Sequence, residues 1–194
     1  MEITMTRRSA CSLGIGMSAM AVLGGAPAYA ALSERPKIDY VVAHARHPES
    51  LSFAAGIVVG GARPLEVTAG LTRLWSDALL PLWRDGGGII AGLTPPGTWS
   101  CLAEQGRSWG RRSILVGHHR FSHEGAAIEH QLEGPSVLRP GIEALSRCGE
   151  DWPQVMAALA LRCPIDASQP KISRHRSAHS AALAASALVS WIIA

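Results

Sequence analysis

Six of the eight histidines in this 194-residue chain fall in short stretches: His44 and His47, then His118 and His119, then His123 and His130. Imidazole has an ordinary pKa close to neutral, so a cluster of this kind suits proton transfer. His44, His118 and His119 are the candidate catalytic groups on that reading. Neutral imidazoles with a carboxylate nearby could instead hold zinc or a similar metal, which needs three or four converging N or O ligands. His119, His123 and Glu124 are the candidates, because His119 and His123 would share one face if their segment were helical. A third chemistry is anion or polar-metabolite binding by Arg46 and the free amides after His47, at the start of a predicted helix. Thr94 would add a hydroxyl, and Trp99 follows the same turn closely enough to touch a ligand. His44 capping a strand and Arg46 pairing with Glu49 are the plainer alternatives.

These groups converge only if particular elements carry them. The run 38–43 is rich in β-formers and stops at His44. Pro48 and Glu49 suit a helix start, and Leu51, Phe53, Ala54, Ile57 and Val58 then give one apolar face. Gly60-Gly61 ends that helix, and 63–68 forms a second strand. Helical spacing returns through Leu71 to Trp83 and is broken by Pro81. Ile89–Leu93 makes a third strand, 98–110 another helix, and Ile114–Gly117 a fourth strand that stops at His118. The pattern predicts a three-layer α/β domain with a mostly parallel sheet, flavodoxin-like or Rossmann-like in class. Ligands of such sheets bind beyond the C-terminal ends of the strands. His44, Thr94 and His118 would all leave by that rim. The part from about 120 onward reads as irregular, with helices over 140–147 and 152–162 and a loop over 166–176. The apolar stretch 181–194 reads as a buried C-terminal helix, too short to span a bilayer.

Several familiar chemistries lack their sequence marks. The first strand is followed by His44-Ala45-Arg46-His47-Pro48-Glu49-Ser50, so the dinucleotide fingerprint is absent there. Gly60-Gly61 follows a helix and Gly86-Gly87-Gly88 precedes a strand, the wrong sides for cradling phosphate. No Gly-x-Ser-x-Gly elbow occurs. The residues therefore name no cofactor.

The first thirty residues are of a different kind. Thr6-Arg7-Arg8-Ser9-Ala10-Cys11-Ser12 is followed by an apolar stretch loosened by Gly14, Gly16, Gly24 and Gly25. Ala28-Tyr29-Ala30 then supplies small residues for cleavage before Ala31. This leader resembles the twin-arginine export signals of bacteria, with the Thr and both Arg matching. Ala10, Cys11 and Ser12 stand where Phe, Leu and Lys are commonest, and the general secretory route is the alternative. The resemblance implies engagement of the twin-arginine translocon, export in a folded state, and residence in the periplasm or outside the cell. It implies nothing about the chemistry of residues 31–194, which would form one domain.

Sixteen basic and fourteen acidic residues remain once Arg7, Arg8 and Glu2 leave with the leader. That balance is too even and too scattered for a nucleic-acid partner. Cys101, Cys148 and Cys163 also remain, and an oxidising compartment would permit a Cys148–Cys163 disulfide. Three functions fit these observations. The first is an exported domain that binds a small polar or anionic ligand, serving a partner protein. The second is a histidine-dependent hydrolase, metal-assisted or not. The third is a structural subunit co-exported with a cofactor enzyme.

Overall fold

Alternation of short β-rich runs with helix-length segments produces the expected three layers, but the sheet between them is mixed. The computed structural model describes residues 37–68, 70–122, 128–165, 173–176 and 184–194. The leader, and with it the proposed boundary near residue 30, lies outside these residues. Strand β1 is Tyr40–His44, followed by α1 (Pro48–Val58) and β2 (Arg63–Val67). A π-helical turn, Leu74–Leu79, runs into α2 (Leu80–Arg84), with Pro81 in the first turn of α2. That position spares Pro81 a missing backbone bond and accounts for the break in helical spacing. Strand β3 (Ile90–Thr94), α3 (Pro96–Ser108) and β4 (Ser113–Ser122) complete the alternating part.

From β4 onward the chain turns antiparallel. Strand β5 (Ile128–Gly134) pairs back on β4, then come α4 (Arg139–Arg147) and α5 (Trp152–Ala160), β6 (Ser173–Arg176) and β7 (Ala184–Ile193). The sheet order is β2-β1-β3-β7-β4-β5-β6. Only the β1–β2 and β1–β3 pairings are parallel, and the other four are antiparallel. The expectation of a mostly parallel, flavodoxin- or Rossmann-like sheet is thus corrected. The physical reason lies in the last described stretch, which is a strand and not a helix. Val189, Ile192 and Ile193 are β-branched, and Leu188 to Ile193 are all buried. A short run that is apolar toward both faces fits the middle of a sheet. Strand β7 takes that place, antiparallel to β3 on one side and β4 on the other.

Each side of the sheet carries its own core. Val41, Ala43, Ala91, Leu93, Leu115, Leu132, Leu188 and Ile192 face α1, α4 and α5, against Phe53, Ile57, Ile142, Leu145, Trp152 and Met156. Val42, Ile90, Val189, Trp191 and Ile193 face α2 and α3, against Leu79, Trp83 and Leu102. Trp191 lies flat over Gly92, where any Cβ would collide with its ring. Its Nε1–H donates to Thr94 Oγ1 at 3.0 Å, and Trp99 stacks on it at 5.8 Å. This stack fixes β7 against β3 with both a polar and an aromatic contact.

The crossovers reverse between β1 and β3. The chain leaves β1 through α1 on one face to reach β2, and leaves β3 through α3 on the other face to reach β4. Each change of direction along the sheet is matched by a change of face, so the crossovers share one hand, as the chirality rule requires. Since β3 and β4 are both antiparallel to β7, they run the same way as each other, and β1 runs with them.

Candidate functional site

The rim where β1 and β3 end is built as the sequence suggests. His44 ends β1, and its backbone N–H donates to Ser50 Oγ at 2.8 Å. Ser50, fully buried in the first turn of α1, donates in turn to the Leu93 carbonyl. One hydroxyl thereby ties the exits of β1 and β3 to the start of α1. His47 packs edge-on to His44 with ring centroids 5.0 Å apart, and Arg46 between them is exposed. Burial lowers the His44 pKa, and the neighbouring His47 and Arg46 lower it further. Thr94 is fully buried with its hydroxyl accepting from Trp191, and Trp99 belongs to the stack on that ring. Thr94 is therefore part of the core beneath α3, and Trp99, half-buried on α3 itself, packs against that core. The helix α3 begins at Pro96, with no side-chain cap from Thr98.

His118 and His119 do not leave by that rim. Strand β4 is ten residues long and carries them in its interior, where His118 lies across from Gln131 and His119 across from His130. Successive residues of a strand point to opposite faces. His118 shares the face of Val116 and the Trp191 stack, while His119 shares the face of Leu115 and Leu132. The catalytic trio anticipated from sequence is thereby split: His44 and His118 are on one side of the sheet, His119 on the other.

What His119 meets on its own side is a polar chain inside the core. Its Nε2 lies 2.8 Å from Ser190 Oγ, and its Nδ1 lies 2.8 Å from His130 Nδ1. Ser190 comes from β7, His119 from β4 and His130 from β5, so strand pairing alone brings them together. Ser190 and His119 are fully buried and His130 nearly so. Gly117 makes the space, because a Cβ there would collide with Ser190 Oγ and press on Leu132. Trp152, the first residue of α5, covers the group with its ring 4.3 Å from that of His119 and 5.4 Å from that of His130.

The Nδ1-to-Nδ1 contact constrains protonation, since a hydrogen bond there needs one ring to donate and the other to accept. Burial agrees with that demand. Desolvation, then His130 and then His118 hold His119 well below the ordinary imidazole range, and desolvation brings His130 to about 4. Both rings are neutral at pH 7. With a proton on Nδ1, His119 donates to His130 and offers the lone pair of Nε2 to the Ser190 hydroxyl. That is the arrangement of an activated nucleophile with its base and an orienting third group.

Both ring nitrogens of His119 are engaged in this way. The other two candidate metal ligands, His123 and Glu124, lie outside the described residues. Among the described residues, no three His, Cys, Asp or Glu side chains gather as a metal site. Cys148 and Cys163, the expected disulfide, are free thiols in this structure. Burial pushes the Cys148 thiol up to about 11 and the Cys163 thiol up to about 12, so both stay protonated. No helix among the described residues is long and apolar enough to cross a membrane.

Sequence reasoning gave Ser190 and Trp152 no part in a site and left His130 without a role. One signal was present for Ser190: it is the single polar residue in the run Ala187–Ile193, and a buried polar group needs a partner. No protein-family model matches the chain, and neither a curated protein nor a solved structure matches it.

Proposed function

We propose that this chain is a histidine-dependent hydrolase in which Ser190 is the nucleophile, His119 the general base and His130 the residue that orients it. The observation that carries this reading is the unbroken Ser190–His119–His130 contact, with both links at 2.8 Å. As Ser190 Oγ attacks an ester carbonyl, its proton passes to His119 Nε2. The imidazolium then gives that proton to the departing alkoxide, leaving an acyl-serine. Water repeats the sequence: His119 takes its proton, the hydroxyl adds to the acyl carbon, and Ser190 leaves with its proton restored. His130 Nδ1 accepts from His119 Nδ1 throughout and holds the ring in the productive tautomer. A fluorophosphonate probe tests this. Covalent labelling at Ser190, mapped by mass spectrometry and lost in Ser190→Ala and His119→Ala, is expected. Folded protein with no labelling at Ser190 under any condition would falsify the assignment and leave the polar chain a structural staple between β4, β5 and β7.

A second reading is favoured by the reversal of crossovers between β1 and β3, because ligands of open α/β sheets bind where the winding changes direction. Arg46 and His47, beside that switch in winding, would hold a small anionic group there. Inorganic phosphate should then raise the melting temperature of the wild type and not of Arg46→Ala. An equal response in both proteins removes this reading. Export of either activity rests on the Thr6-Arg7-Arg8 leader, and Arg7→Lys with Arg8→Lys should retain the protein in the cytoplasm if the twin-arginine route is used.

A further inference from the structure

The geometry points to Trp152 as a gate that shuts the Ser190–His119–His130 chain away from solvent in the resting fold. The purpose of such a gate rests on the hydrolase reading; its geometry does not.

Every member of the polar chain sits on a strand. Ser190 is held by β7, His119 by β4 and His130 by β5, and none can shift without breaking ladder bonds in the middle of the sheet. Trp152 is different, because it belongs to a helix laid on the sheet. Its side chain is 1% exposed and lies against both imidazoles, with Phe121 6.1 Å away as its aromatic neighbour. A single indole thus covers both the ring that would serve as base and the ring that orients it. Of these groups, it alone can withdraw while the sheet stays paired.

The backbone leading to Trp152 is built to turn. A short 3-10 turn, Gly149–Asp151, joins α4 to α5, and Gly149 has φ +55 with open space where a Cβ would be. That is the left-handed region, which glycine enters without strain. Further along, Met156, Leu159 and Ala160 anchor the helix in the core. A rotation between Gly149 and Pro153 would lift the indole and leave that anchor in place.

Diethyl pyrocarbonate, which acylates imidazole nitrogens, reads the gate without requiring any enzymatic turnover. Mapped on the full chain by mass spectrometry, wild-type His47 should react readily and His119 and His130 slowly. Trp152→Leu, which keeps an apolar but smaller cover, should speed modification of His119 and His130 about tenfold. Gly149→Ala touches no neighbour but strains the closed backbone, and should speed it by roughly three- to tenfold. Unchanged His119 and His130 rates in both variants, with wild-type circular dichroism, overturn the gate; should Trp152→Leu fail to fold, Gly149→Ala decides alone. Fluorophosphonate labelling of the same variants separates the two ideas. Faster imidazole modification without labelling of Ser190 keeps the gate and removes the hydrolase. Labelling of Ser190 at one rate in all three proteins, with unaltered imidazoles, keeps the hydrolase and removes the gate.

Discussion

The same side chain serves two opposite ends in this molecule. At the rim, His44 and His47 stand beside an exposed Arg46, half-covered, at the point where β1 gives way to α1. In the interior, His119 and His130 have been taken out of water entirely or nearly so, and are paired nitrogen to nitrogen beneath Trp152. Burial lowers the pKa in both places: at His44, where His47 and Arg46 add to it, and in the interior, where His119 is held well below the ordinary range and His130 is brought to about 4. The difference teaches that histidine content marks no site by itself. What matters is whether the elements around a ring supply water or another polar atom.

The contrast can be broken most forcefully by deleting the interior ring. His119→Ala leaves a cavity and strands the Ser190 hydroxyl and His130 Nδ1, and should cost about 3–4 kcal/mol in urea denaturation. A loss below about 1 kcal/mol would mean that water already reaches the group. Acid should act next most strongly. The interior imidazoles have pKa values below that of an unfolded histidine, so the unfolded chain binds more protons as pH falls. Stability is then fully present above about pH 6.5 and declines toward pH 4, by on the order of 3 kcal/mol from His130 alone. His130→Gln should flatten that profile, and an unchanged slope in the variant would place the acid sensitivity elsewhere. A single methyl sharpens the comparison further. Gly117→Ala pushes into Ser190 and Leu132 and should cost about 1–3 kcal/mol, whereas Gly97→Ala near the rim meets open space and should be neutral or slightly stabilising. Equal melting temperatures for the two variants would contradict the packing described. The smallest effect belongs to the rim itself: His47→Ala should change stability by less than about 0.5 kcal/mol.

Legibility in the sequence follows the range of the contacts involved. The elements β1, α1, β2, β3 and α3 are each marked by local signals. Pro48 opens α1, Gly60-Gly61 closes it, and Pro95-Pro96 marks the passage from β3 to α3. Their boundaries fall within a few residues of those read from periodicity, and the three layers follow. Strand β7 could not be placed in this way. Its apolar residues occupy both faces, which erases the period-2 alternation that distinguishes a strand from a buried helix. With β7 went the mixed character of the sheet, and with the sheet went the site. His119 and Ser190 are 71 positions apart and meet only because β7 enters between β3 and β4. The hairpin β4–β5 was hidden for a related reason. His118, His119 and Arg120 look like loop residues, yet their strand is stabilised by partners far away in sequence.

The position of β7 also has a consequence for how the protein is made. Its two sheet neighbours, β3 and β4, are synthesised long before residues 184–193, and the ladder bonds that β7 gives each of them need the end of the chain. The pairings at the middle of the sheet are therefore the longest-range ones, the kind of contact that slows folding.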